Sequence, residues 1–270
     1  MKQTVVPAIL AASVLLVRDG VAGLEVFMVV RHRKIEFASG ATVFPGGRVA
    51  ASDREVDLRA RCNGTDTLDG NSLALRAAAL RECFEECGVL LARTPDGAMI
   101  DSEALAGLDR YRQALEREKL GLAGLLGEHG LMLACDALAP FGHWITPDFA
   151  PKRFDTWFYL AAAPHGQDPR HDGSEAVDSV WISPEQALAE ADAGGRSLVL
   201  ATRANLMRLA ESVTAAAALD AAAKRTIVAV QPWIEARPEG KFVCIPAEAG
   251  YALNDIPAEV ARGGAWPKPG

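Results

Sequence analysis

The chain has 270 residues and a mass of 28.6 kDa; half of its residues are hydrophobic, 23% are charged, and the mean hydropathy is +0.08. That size and balance fit one soluble globular domain or a domain with an appendage, whose core needs no disulfide or metal staples. Thirty-five Asp and Glu against 28 Lys and Arg leave a net charge of −7 and a pI near 5.3, which excludes the broad basic field of a long-nucleic-acid or membrane-surface binder and leaves room for small anionic substrates.

The five cysteines, Cys62, Cys83, Cys87, Cys135 and Cys244, include no Cys-x-x-Cys pair. Neither a disulfide framework nor a structural zinc site is expected, and the spacing of Cys83 and Cys87 reads as two small apolar residues on one helix. Lys2 and the apolar run behind it resemble a short signal core. However, no cleavage site follows, the run is too short to span a bilayer, and it leads straight into Arg18-Asp19-Gly20. Ala11–Val17 is therefore expected to be a buried strand. The terminal Ala-Trp-Pro-Lys-Pro-Gly carries no retention or peroxisomal signal, and a cytoplasmic location is expected.

In chain order, Ala11–Val17 and Leu24–Arg31 form a predicted hairpin, and Thr42–Phe44 a short strand ending in Pro45-Gly46-Gly47. Residues 48–70 are polar and read as an insertion. Ser72–Cys87 is a predicted helix, capped by Asn71 or Ser72 and ended by Gly88. Residues 101–138 should form two or three short helices, with Leu105, Leu108, Leu115 and Leu122 on one stripe. Strands follow at Phe141–Ile145, Phe154–Ala161 and Asp178–Ile182, then a helix opened by Ser183-Pro184. Asn205–Ala223 reads as one long Ala-rich helix and a candidate dimer surface. Short strand-like, Pro-rich pieces close the chain. Strands and helices mingle, so the class is α/β or α+β.

The chemistry lies in Arg81-Glu82-Cys83-Phe84-Glu85-Glu86-Cys87-Gly88-Val89. On a helix, Glu82, Glu85 and Glu86 share one face and repel each other. A divalent cation would neutralise them, and hard oxygen donors favour Mg²⁺ or Mn²⁺. An ordinary solvated acidic stripe is the plainer reading of three glutamates alone.

This segment resembles the Nudix hydrolase signature G-x5-E-x7-R-E-U-x-E-E-x-G-U, in which U is bulky and apolar, and Gly47 looks like its opening glycine. The looser resemblance runs over about residues 8–195. It implies an α/β/α sandwich with a mixed sheet, extended by inserted and C-terminal helices. Residues 1–270 are then a single Nudix domain, with a 48–70 insertion in the signature, a 101–138 helical insertion and a 197–270 helical extension. The departure is in the spacing. Arg81 lies thirty-four residues after Gly47 instead of fourteen, so about twenty residues are inserted. Counted back from Arg81, the first signature Glu falls on Leu73, and Asp53, Glu55 and Asp57 are candidates for its role. Such an interruption resembles the coenzyme A diphosphatase branch, as do Ala41–Gly47 and Trp144–Thr156.

The resemblance implies a metal-dependent hydrolase of a nucleoside diphosphate linked to another group. Coenzyme A or an acyl-coenzyme A, cut to 3′,5′-ADP and 4′-phosphopantetheine, is the leading substrate; ADP-ribose, a dinucleotide or a non-catalytic binding module are the alternatives. Glu85, Glu86 and the Gly47 carbonyl would hold Mg²⁺ or Mn²⁺, Glu82 would be a ligand or the general base, and Arg81 would orient the glutamates. Glu175 is a candidate further metal ligand with Asp172 behind it, although a solvated loop acid is the plainer reading of each. Arg31, Arg33 and Arg153 are candidate phosphate contacts or surface charges. Phe44, Trp144, Trp157 and Phe158 are expected in the core rather than as a base-stacking platform. No long nucleic acid or membrane partner is expected, and a homodimer is left open.

Overall fold

Side chains along the opening apolar run alternate between two cores, and this alternation makes the run the centre of the molecule. It forms β1 (Ile9–Gly20), which turns through Val21-Ala22 into antiparallel β2 (Gly23–Arg31). This computed structural model describes residues 5–32, 38–173 and 175–263; Lys2, Arg33 and the terminal Ala-Trp-Pro-Lys-Pro-Gly lie outside them. β3 (Thr42–Val43) and β4 (Gly46–Arg48) follow, with β4 pairing on β1. The 48–70 insertion carries two 3₁₀ turns, Ser52–Arg54 and Val56–Arg61, which bury Asp53 and Leu58.

The signature helix is α1 (Gly70–Cys87). Its cap is Asp69, not Asn71 or Ser72: the Asp69 carboxylate accepts the Ser72 N–H at 2.7 Å. Asp69 holds the extended backbone of an N-cap, whereas the two residues proposed from sequence are already inside the first turn. Gly88 ends the helix in the left-handed conformation. Next come β5 (Ala92–Arg93), three short helices, α2 (Ser102–Ala106), α3 (Arg112–Glu116) and α4 (Leu122–His129), and β6 (Met132–Leu133). Of the expected leucine stripe, Leu108, Leu115 and Leu122 are buried. β7 (Ala139–Ile145), β8 (Phe154–Ala162), β9 (Ala176–Ile182) and α5 (Pro184–Asp192) lie where sequence places them.

The expected long helix at 205–223 is instead two helices, α6 (Leu200–Leu209) and α7 (Ala215–Lys224). The break has local causes. Thr214 caps α7 through the Ala217 N–H, Asp19 accepts the Ala215 N–H, and the Val213 carbonyl accepts the Leu24 N–H. These bonds tie residues 213–215 to the β1–β2 hairpin. The segment after α7 holds more strand than helix: β10 (Ala229–Val230), β11 (Trp233–Arg237), β12 (Gly240–Cys244), β13 (Asp255–Pro257) and α8 (Ala258–Gly263).

Among the described residues the main sheet has eight strands, ordered β10-β7-β8-β1-β2-β3, with β4 also on β1 and β9 on β2. β1 runs parallel to β8, and most other pairs are antiparallel, so the sheet is mixed. Ala12, Val14 and Leu16 pack with the buried face of α1. Leu15 and Val17 pack with Ala187 of α5, Leu206 of α6 and Ala218 of α7. Helices thus cover both sheet faces, an α/β/α sandwich. β11–β13 form a separate small sheet, joined to α6 by Leu253 and Ile256 packing on Leu200 and Met207.

Candidate active site

Alanine and leucine favour α1 as a helix, and Leu80, Cys83, Phe84 and Cys87, all fully buried, press it onto the sheet. That anchoring turns Glu82, Glu85 and Glu86 towards β4. They are not a solvated stripe, for Glu85 and Glu86 are buried. Cys83 and Cys87 are buried helix neighbours, free of disulfide.

Each acid has a defined seat. The Glu86 carboxylate accepts the Gly46 N–H at 2.8 Å. Glu82 lies so close over Gly47 that a Cβ there would overlap its carboxylate and the Glu82 side chain would have to move. Arg81 Nη1 donates to Glu82 at 3.0 Å and to Glu85 at 2.9 Å. Its Nε and Nη2 grip the two oxygens of Asp53, both at 2.9 Å, and Nη2 also reaches the Arg48 carbonyl. Asp53 is 1% exposed and accepts the Ala50 N–H as well.

Of the three acids named for the displaced signature Glu, it is thus Asp53 that meets Arg81. Asp53 stands six residues after Gly47, at the signature's own Gly-to-acid spacing. The insertion follows Asp53 instead of preceding it, so counting forward from Gly47 finds the residue that counting back from Arg81 misses.

Three carboxylates touch one guanidinium and a fourth lies beside them. Burial works against the Arg81 charge, but Asp53, Glu82 and Glu85 outweigh it and hold its pKa above the usual value. Burial pushes the Glu85 carboxyl up to about 8, with Arg81 opposing and the Glu82 charge adding. Burial also raises Glu82 against the pull of Arg81, and raises Glu86 further, with the Glu82 charge adding. Glu85 Oε1 is buried with no hydrogen-bond partner. Excess buried negative charge, an unpaired carboxylate oxygen and an all-oxygen donor set fit a hard divalent cation. Among the described residues no three His, Cys, Asp or Glu side chains already surround one point as a closed cage. Such an ion would complete its shell with water or substrate oxygens, as Mg²⁺ commonly does.

The acids open on a cleft of about 750 Å³, within the range of small-molecule sites. Arg31 and Glu175 line it, with Arg31 Nη2 3.9 Å from the Glu175 carboxylate and Arg31 Nε buried without a partner. The Asp172 carboxylate accepts the Glu175 and Ala176 N–H groups, so it braces the loop that presents Glu175.

Arg153 requires a correction. It is buried, donating to the Thr146 and Val6 carbonyls and pairing with Asp148 at 2.6 Å. Its guanidinium is consumed by the fold and does not line the cleft. The neighbouring Lys152, which sequence reasoning passed over, does; it is exposed in the bend before β8, whereas Arg153 is buried. Phe44, Trp144 and Phe158 are core residues whose edges also line the cleft, while Trp157 stacks on His143 at 4.4 Å.

Residues 59–195, half of the chain, match the family model described as the NUDT19 Nudix domain. This chain belongs to the Nudix hydrolase family. A NUDIX hydrolase from Alicyclobacillus acidocaldarius is similar in structure, with TM-score 0.67 and 29% identity over 79% of this chain and 96% of that one. The acyl-coenzyme A diphosphatase NUDT19 of Xenopus laevis is 24% identical over 213 residues, covering 64% of this chain and 56% of that protein. The human acyl-coenzyme A diphosphatase NUDT19 is 26% identical over 206 residues, 61% and 55% of the respective chains. The Nudix hydrolase therefore resembles the coenzyme A diphosphatase branch, and it spans about half the length of these curated relatives. Gly47 and Asp53 lie just upstream of the matched segment, and α6 to α8 downstream of it. No described helix is long and apolar enough to cross a membrane.

Proposed function

We propose that the protein is a Mg²⁺- or Mn²⁺-dependent diphosphatase that cuts coenzyme A or an acyl-coenzyme A into 3′,5′-ADP and a 4′-phosphopantetheine product. The observation that carries this reading is the buried excess of carboxylate around Arg81, with Glu85 Oε1 unpaired, at the wall of a large cleft. The substrate branch is supported by the NUDT19 family match and by the acyl-coenzyme A diphosphatases among the relatives.

Glu85, Glu86 and the Gly47 carbonyl would hold the ion, with Glu175 as a further ligand. Bound there, the ion supplies Lewis-acid neutralisation of the diphosphate and acidifies water. Glu82, raised by burial, takes the proton of the attacking water. The water oxygen bonds to one phosphorus, the bridging P–O bond breaks, and the bridging oxygen departs with the other phosphate. Arg81, clamped by Asp53, orients Glu82 and Glu85 without touching substrate. Arg31, which lines the cleft, binds a phosphate oxygen through its guanidinium.

Product analysis tests the reading. The protein is incubated with Mg²⁺ or Mn²⁺ and, separately, coenzyme A, acetyl-coenzyme A, ADP-ribose and a dinucleoside polyphosphate. Release of 3′,5′-ADP from the coenzyme A substrates above the others is expected. Preference for ADP-ribose would discard the substrate and keep the chemistry, whereas undiminished turnover by Glu85→Gln would remove the metal site.

A further inference from the structure

The cleft is chemically two-ended, and the register of β1 provides a ruler between its ends. Ser13 pairs with Gly46 beside the acids, and Ile9 pairs with Phe154 at the other end. Four residues of strand at about 3.3 Å each place these ends roughly 13 Å apart. The far end is apolar except for one cation, Lys152, whose Nζ lies 5.7 Å from the centre of the Phe154 ring. Ile9 and Phe149 line it although 43% and 56% exposed, so apolar surface is left to water at the cleft. Leu200 of α6 and Val243 of β12 line the cleft as well. Both belong to the C-terminal segment, downstream of the matched family segment. Leu200 is held by Leu253 and Ile256, and Val243 by pairing with Ile234 and Ile256. The small sheet thus fixes one wall of the cleft.

We infer that Leu200 and Val243, with Phe149, are specificity-determining residues that seat the apolar end of a long-armed diphosphate ester. The inference rests on the diphosphatase reading and deepens it. A diphosphate seated at the acids reaches this wall only through an arm of comparable length, and only an apolar terminus gains by displacing water from it. A short polar moiety such as a ribose phosphate satisfies neither condition. An S-acyl pantetheine arm satisfies both.

Two measurements test this. The first is kcat/KM for octanoyl-coenzyme A relative to free coenzyme A, in the wild type and in Phe149→Ser, Leu200→Asn, Val243→Asn and Leu200→Met. The wild-type ratio should be roughly tenfold or more in favour of the acyl substrate. Phe149→Ser, at an exposed position that does not threaten folding, should lower the ratio severalfold. Leu200→Asn and Val243→Asn should bring it near unity, and Leu200→Met should retain it. The second is calorimetric binding of S-octanoyl- and S-acetyl-pantetheine, which carry no diphosphate. Tighter binding of the octanoyl form, by roughly tenfold, supports the seat even if no diphosphate is cleaved, in which case only the diphosphatase reading falls. Coenzyme A cleavage with a flat chain-length dependence, and no preference between the pantetheines, overturns the seat and leaves the diphosphatase standing. A ratio unchanged in Phe149→Ser and in both Asn variants overturns it equally.

Discussion

Two buried arginines, Arg81 on α1 and Arg208 on α6, are equally hidden and oppositely furnished. Arg81 sits among Asp53, Glu82 and Glu85, and its charge is outnumbered. Arg208, on α6, has no carboxylate within 4 Å among the described residues. It donates to the carbonyls of Phe141 and Ala249 and lies 3.4 Å from the centre of the Tyr251 ring. Burial lowers its pKa, while Tyr251 works the other way. The contrast separates two uses of a buried cation. Around Arg208 the acceptors are neutral and no acid is in surplus, although Arg208 Nε and Asn205 Nδ2 are buried without a partner; the result is a brace, in which Tyr251 accepts from Trp144 Nε1 and donates to Asn205. Around Arg81 the account is left negative, and the cluster is complete only with a cation from outside. One arginine therefore serves the fold and the other the chemistry.

The comparison breaks most sharply at Glu85. Glu85→Gln should lower kcat/KM by roughly 10³-fold, worth about 4 kcal/mol, and should not lower the metal-free Tm, because it removes a buried acid that resists ionisation. Steady-state kinetics beside thermal unfolding decide this, and a variant that is both active and destabilised would make Glu85 structural. Arg208→Met is the mirror experiment. It leaves two buried carbonyls without donors, so a stability loss of about 2–4 kcal/mol is expected in urea unfolding, with turnover per folded molecule within tenfold of wild type. Loss of turnover at unchanged stability would erase the distinction. Asp53→Asn probes the link between framework and chemistry. It weakens the two-pronged hold on Arg81, and a fall of roughly 10- to 100-fold in kcat is expected, as for supporting partners of metal ligands. Asp53→Glu, keeping the charge, should recover part of it.

The two clusters were not equally legible in the sequence. Arg81 to Gly88 are consecutive on one helix, so a 3.6-residue period brings them together without tertiary information. Asp53 is one of three candidates; its place six residues after Gly47, together with burial by the 3₁₀ turn after β4, sets it apart from the exposed Glu55 and Asp57. Arg208, Tyr251 and Trp144 come from three distant segments, and no local pattern announces their meeting. The break between α6 and α7 is hidden by alanine, which favours helix throughout and leaves the decision to Thr214 and to Asp19 on another element. β11 escaped for a different reason. Trp233, Ile234 and Glu235 are all exposed, so the run lacks the alternation by which a half-buried strand is read. Arg153 and Lys152 show the same limit at one residue's scale: composition places a cation there, and only the contacts of Arg153 with Thr146, Val6 and Asp148 say which of the two is left to the cleft.

The smallest expected effect is also the one that asks whether the negative excess around Arg81 is real. Burial holds Glu85 near 8, with Arg81 opposing and Glu82 and Asp53 adding. Its folded value therefore lies above its unfolded one. Its contribution to metal-free stability is full below the ordinary carboxylate range and is lost as pH rises through about 8. A divalent cation favours the ionised carboxylate, so below that pH its binding must expel the proton and above it need not. Added Mg²⁺ should accordingly raise Tm by a few degrees more at pH 8.5 than at pH 6.5, of the order of 1 kcal/mol in stability, and Glu85→Gln should remove most of that difference. Equal shifts at the two pH values in the wild type would mean that the acids around Arg81 are already ionised and balanced without metal. The cluster would then belong with Arg208, as a brace.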